Sequence, residues 1–110
     1  MRDRLRAMTH EIRDTDLTPA RACDLLAKLT ALMGNIAEEV TDAELAYARV
    51  LSDAYHVEEK ANRAKIAAET TPEYRRKREA RDAAYLVDKL TQALKTIIRQ
   101  RGTEMQALGR

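Results

Sequence analysis

The chain has 110 residues, of which 19 are Ala and 12 are Leu, with 35% charged residues, four aromatics that are all Tyr, and a net charge of +2. With no Phe or Trp, 3 Gly and 2 Pro, it lacks the aromatic residues and turn signals of sheet-rich folds, which excludes β-sandwiches, barrels and nucleotide-binding α/β folds. An excess of Ala, Glu, Arg, Lys and Leu is the signature of long helices, and so little turn material argues against a concave catalytic pocket.

Met1, Leu5, Met8 and Ile12 are spaced by 4, 3 and 4 residues, which predicts a short amphipathic helix over residues 1–13. Asp14-Thr15-Asp16 interrupts it. Thr18-Pro19 restarts a helix, with a capping hydroxyl followed by proline at the first helical position. From there Leu26, Leu29, Met33, Ile36, Val40, Ala43, Tyr47, Val50, Ala54, Val57, Ala61, Ala64 and Ala68 keep spacings of 3 and 4 through six heptads. Gly34-Asn35 could stop a helix and Thr41-Asp42-Ala43-Glu44 could cap a new one. The heptad phase passes both unshifted, so the reading is one helix over 18–69, about 75–80 Å long at ~1.5 Å per residue.

Thr70-Thr71-Pro72-Glu73 supplies a second helix start with the T-x-x-E spacing of a capping box. It predicts a turn at 70–72 and a last helix over 72–108. That helix carries two neighbouring apolar stripes, one of Ala80, Ala84, Val87, Leu94, Ile98, Met105 and Leu108, the other of Ala83, Leu86, Leu90, Ala93 and Ile97. So broad a face suits a helix gripped from two sides. A compact domain of this length would have a radius of gyration near ~13 Å, too small for such helices. Other copies of the chain are therefore expected to cover Val87, Leu90, Leu94, Ile97, Ile98 and Met105. The expected fold is a single all-α domain: a short N-terminal helix, then a long helical hairpin that self-assembles through coiled-coil-like packing into a homo-oligomer such as a ring.

Cys23 is the single cysteine, so no intramolecular disulfide forms. Lying beside the apolar stripe, it is read as a small buried hydrophobe. Met1-Arg2-Asp3-Arg4-Leu5-Arg6 has no signal-peptide core, and the longest apolar run, Ala83-Ala84-Tyr85-Leu86-Val87, is far short of the ~20 residues of a membrane span. A soluble, cytoplasmic protein without a membrane partner is expected.

Charge is unevenly spread. Residues 1–40 carry 6 basic and 7 acidic side chains, residues 41–70 carry 4 and 6, and residues 71–110 carry 10 and 5. Folding at 70–72 would gather eight basic residues, Lys60, Arg63, Lys65, Arg75, Arg76, Lys77, Arg78 and Arg81, against Glu69, Glu73 and Glu79, for a local charge of +5. Tyr74 lies inside this run and Tyr55 just before it. Cations that track phosphates beside a ring that stacks on a base are what a single-stranded nucleic-acid site needs, and self-assembly would add avidity. The same run also fits a solvated face, with Glu73 and Glu79 paired to basic residues three or four positions away. Cations at a helix N-terminus oppose the macrodipole, which favours a purpose for Arg75 and Arg76.

Catalytic and metal chemistry finds no support. His10 and His56 are far apart without Cys or carboxylate partners at metal-ligand spacing. The adjacent pairs Glu38-Glu39 and Glu58-Glu59 point to different sides of a helix, Ser52 is the single serine and has no base placed to activate it, and no Gly-rich phosphate loop exists. Neither enzymatic activity nor a cofactor is expected.

Ala93-Leu94-Lys95-Thr96-Ile97-Ile98-Arg99-Gln100-Arg101-Gly102, with Asp88 before it, resembles the closing Ala-Leu-x-x-Ile…Arg-Gly segment of the UvsY-type recombination mediators of tailed phages. Glu58-Glu59-Lys60-Ala61-Asn62-Arg63-Ala64-Lys65 is similar to that family's basic segment implicated in single-stranded DNA binding. The likeness covers about half of the chain. It implies a mediator that holds single-stranded DNA, loosens single-strand-binding protein and helps a RecA-like recombinase nucleate, with Lys60, Arg63 and Lys65 as first contacts. Tyr74, Arg75, Arg76, Lys77, Arg78 and Arg81 join them from charge clustering. The rival reading is a helical scaffold, adaptor or phage assembly chaperone that engages a protein partner. A binder of RNA or duplex DNA would share the same basic chemistry. WXG-type hairpins are excluded by the absence of Trp and by a turn near residue 71 instead of mid-chain.

Overall fold

The computed structural model describes the backbone of residues 2–108 and the side chains of residues 2–102. The expectations placed on the side chains of Met1, Met105 and Leu108 lie outside the described residues. Four helices and no strand occur among them: α1 (Arg2–Asp14), α2 (Pro19–Val57), α3 (Ala61–Glu69) and α4 (Pro72–Leu108). The chain divides into two compact units, unit 1 from residues 1–34 and 85–110 and unit 2 from residues 35–84.

The two Thr-Pro starts form as the sequence predicts. The Arg21 N–H donates to Thr18 Oγ1 at 3.2 Å, and the Tyr74 N–H donates to Thr71 Oγ1 at 3.4 Å. Proline at the first helical position of α2 and α4 loses no hydrogen bond there. α2 runs through Gly34 and Thr41 without interruption, and the Thr41 hydroxyl donates back to Ala37 O at 3.1 Å.

The predicted long helix does not reach residue 69. The Glu58 N–H still bonds to Ala54 O at 2.9 Å, but Lys60 is extended (φ −100°, ψ 129°), and α3 begins after it without a side-chain cap. Residues 57–62 hold neither Gly nor Pro, so packing sets the break: Ala64 and Ala68 on α3 are buried in unit 2 while Val57 is 81% exposed.

In unit 1 the buried side chains are Leu5, Met8, Leu17, Ala22, Leu25, Leu29, Leu32, Val87, Leu90 and Leu94. A 13-residue helix such as α1 is marginal in isolation, so burial of Leu5 and Met8 holds it helical. Arg21 ties α2 to α1 through a two-pronged pair with Glu11 at 2.6 and 2.9 Å, and Arg101 pairs with Asp16. Bonding to Arg21 lowers the Glu11 carboxyl below its ordinary range, and Glu11 in turn raises the Arg21 guanidinium.

Val87, Leu90 and Leu94 are buried by the chain itself, and Ile97 and Ile98 are half-buried. Sequence spacing treats the helices as lone rods and misses that α1 and the start of α2 share a core with the end of α4. Cys23 is exposed, because the buried line of α2 runs Ala22, Leu25, Leu29, Leu32, one position ahead of the predicted Leu26 and Met33, and turns Cys23 outward.

Candidate nucleic-acid interface

Unit 2 is built around Tyr47. Its ring lies 5.4 Å from that of Tyr74 at an interplanar angle of 48°, and the Lys77 ammonium sits 4.4 Å above it. Burial first, then the Glu69 carboxylate and the neighbouring Tyr74 and Tyr55, raise the Tyr47 hydroxyl above its ordinary range. The end of α3 and the start of α4 therefore both lie beside Tyr47.

That placement locates the chain reversal. α2 continues past Tyr47 to Val57, and α3 starts after Lys60 and ends at Glu69. Each of these stretches spans about 13–15 Å at ~1.5 Å per residue, so α3 runs back along the last turns of α2. Arg76 and Arg81 on α4 in turn reach Glu39 and Glu44 on α2. The reversal is at Glu58–Lys60, not at the expected turn over 70–72. Thr70 and Thr71 instead form a kink whose hydroxyls donate to Ala67 O and Ala68 O at 2.8 and 2.6 Å.

The eight basic residues gathered by sequence divide into two sets. Arg76 makes a two-pronged pair with Glu39 at 2.6 and 3.3 Å, Arg81 pairs with Glu44 at 2.7 Å, and Lys77 is spent on the Tyr47 ring. Bonding to Arg76 lowers the Glu39 carboxyl. Exposed pairs of this kind fix side-chain direction more than they stabilise. Lys60, Arg63, Lys65, Arg75 and Arg78 are exposed and have no ion pair among the described residues.

These five are not one tight cluster. Lys60 marks the reversal. Arg63 and Lys65 are two positions apart on α3, about 200° around the helix, so they leave it on opposite flanks. Arg75 and Arg78 share a face of α4 at a spacing of three. Tyr74, expected to stack on a base, is half-buried against Tyr47. Its ring serves the core of unit 2.

Sequence reasoning missed Glu39 and Glu44 as partners, since each lies 37 residues from its arginine and no local pattern links them. No group of three His, Cys, Asp or Glu among the described residues is placed to hold a metal ion. His10 Nδ1 lies 3.2 Å from Asp14, and His56 Nδ1 lies 2.7 Å from Ser52 O of its own helix. No described helix is long and apolar enough to cross a membrane. Comparison of the chain with protein-family models, with curated proteins and with solved structures finds no match.

Proposed function

We propose that the chain is a non-enzymatic protein that binds a single nucleic-acid strand through the reversal end of unit 2 and acts as a recombination mediator, passing DNA from single-strand-binding protein to a RecA-like recombinase. The observation that carries the binding is the division of the cations. Three of the eight are held by Glu39, Glu44 and Tyr47, while Lys60, Arg63, Lys65, Arg75 and Arg78 face solvent without a carboxylate partner among the described residues. Unpaired cations spread over two helices suit a flexible polyanion, whose phosphates can follow them. The mediator role rests on the likeness of residues 58–65 and 93–102 to the UvsY-type proteins. Self-association through α4 is no part of the proposal, because Val87, Leu90 and Leu94 are occupied.

The test is fluorescence anisotropy of a labelled oligo-dT with the full chain and with the variant carrying Lys60→Glu, Arg63→Glu and Lys65→Glu together. Strand binding that collapses in the variant is expected; equal affinity for the two chains refutes the proposal. An adaptor that engages a protein partner is the second reading, favoured by the exposure of Val57 (81%) and Ile66 (64%) in the same unit. On that reading, binding to the oligonucleotide is absent at low salt.

A further inference from the structure

The four tyrosines have different neighbours. Tyr47 is buried beneath Lys77, Tyr74 packs against Tyr47, and Tyr85 in unit 1 carries the Lys89 ammonium 5.3 Å from its ring centre. Tyr55 is 47% exposed, and neither face of its ring meets a cation or another ring among the described residues. It is the aromatic surface in unit 2 still open to a ligand.

Its position follows from the reversal. Tyr55 is two residues before the end of α2, and α3 returns from Lys60 along that same stretch. The return sets Tyr55 level with about the first turn of α3, which carries Arg63. Asp53, Glu58 and Glu59 flank Tyr55 along the chain. Their charge disfavours phosphates close to Asp53 on α2 and to the first two residues of the reversal, so the backbone of a strand stacked on the ring would run toward Arg63 on α3.

We propose that Tyr55 is the base-stacking platform of unit 2, and that it makes the site select unpaired strands over duplex. The inference rests on the reading of this end as a nucleic-acid site. A stacked duplex has no free base face to offer the ring, whereas a single strand offers one from every base. Phosphates of either form can meet the cations, so the ring is the element that reads an unpaired base.

The experiment compares the full chain with Tyr55→Leu and Tyr55→Phe, titrating labelled oligo-dT and a labelled duplex of equal length at one salt concentration. Circular dichroism checks that helix content is kept. Tyr55→Leu is expected to weaken oligo-dT binding by about 5- to 100-fold, the loss of one base–aromatic stack, with duplex binding unchanged. Tyr55→Phe keeps a ring and retains wild-type affinity. With no Trp in the chain, intrinsic emission comes from tyrosine; oligo-dT is expected to quench it in the wild type and much less in Tyr55→Leu. Equal losses on strand and duplex, or no loss on either, overturn the role of Tyr55 while leaving the basic site standing. Absence of oligo-dT binding in the wild type removes both proposals at once, a result seen without touching Tyr55.

Discussion

If the chain binds a nucleic-acid strand as proposed, the salt dependence is set by how many cations are free to meet phosphates. If Lys60, Arg63, Lys65, Arg75 and Arg78 each neutralise one phosphate of a single strand, log K falls against log salt with a slope of about −0.7 × 5, or about −3.5. Raising salt from about 50 mM to about 200 mM then weakens binding roughly 130-fold. Replacing Lys60, Arg63 and Lys65 together by Gln leaves two contacts and a slope of about −1.4, so the same salt step costs only about sevenfold. The decisive control replaces Arg76 and Arg81 by Gln. Their guanidinium groups are held by Glu39 and Glu44, so their loss adds local negative charge and lowers affinity at every salt concentration while the slope stays near −3.5. Anisotropy titrations of oligo-dT at five or six salt concentrations measure all three slopes. A slope lowered as much by Arg76→Gln with Arg81→Gln as by the triple substitution refutes the reasoning, because strand contact would then follow total charge and ignore the internal pairs.

Three further outcomes test the fold. Gly34 lies inside α2, and a Cβ built there meets nothing within 4 Å. Gly34→Ala is therefore expected to gain about 1 kcal/mol from helix propensity and to raise Tm by about 4 °C; an unchanged or lower Tm means that α2 is not continuous there. Leu94 is fully buried in unit 1, so Leu94→Ala is expected to cost about 2–5 kcal/mol in denaturant unfolding with no change of mass in sedimentation equilibrium. Glu11 and Glu39 are both held below their ordinary value of 4.5 by arginine. A carboxyl lowered in the folded state stabilises above its unfolded value and loses that effect as pH falls through the folded one. Tm should thus drop as pH falls below about 4.5, and Glu39→Gln should flatten that drop; an equal drop in the variant refutes the contribution of Glu39.

Much of the all-α architecture was legible because its signals are local. Thr18-Pro19 and Thr71-Pro72 specify helix starts through the geometry of proline and the reach of one hydroxyl, and both appear where the sequence places them. The break at Glu58–Lys60 was hidden because its cause is distant. Val57, Ala61, Ala64 and Ala68 keep the heptad phase, and only the burial of Ala64 and Ala68 in unit 2 shows that the helix ends. Two positions of the α2 stripe were read one residue late for a related reason, while Leu29, Ile36, Ala43 and Tyr47 are buried as read. Leu25 and Leu26 are adjacent, as are Leu32 and Met33, and periodicity alone does not choose between neighbours; the structure buries Leu25 and Leu32 and leaves Met33 45% exposed. At the candidate site the sequence located the charge but not its employment. Which arginines are spent on Glu39 and Glu44, and which ring Tyr74 packs against, depends on pairings across the reversal.

The buried residues of unit 2 are Ile36, Ala43, Tyr47, Ala64, Ala68 and Ala80, whereas unit 1 buries seven leucines. Alanine lets helix backbones approach closely but removes little apolar area from water, and the nine residues of α3 are too few to hold a helix unaided. The amides of α3 are thus expected to be among the first of the helical segments to exchange with deuterium, by a local opening that leaves the leucines of unit 1 undisturbed. Lys60, Arg63 and Lys65 ride on that segment, so an oligonucleotide that grips them must hold it closed. At a free concentration of about 100 times Kd, a ligand confined to the closed form adds about 2.7 kcal/mol to the cost of opening, and α3 amides should then exchange about 100-fold more slowly while those of unit 1 keep their rates.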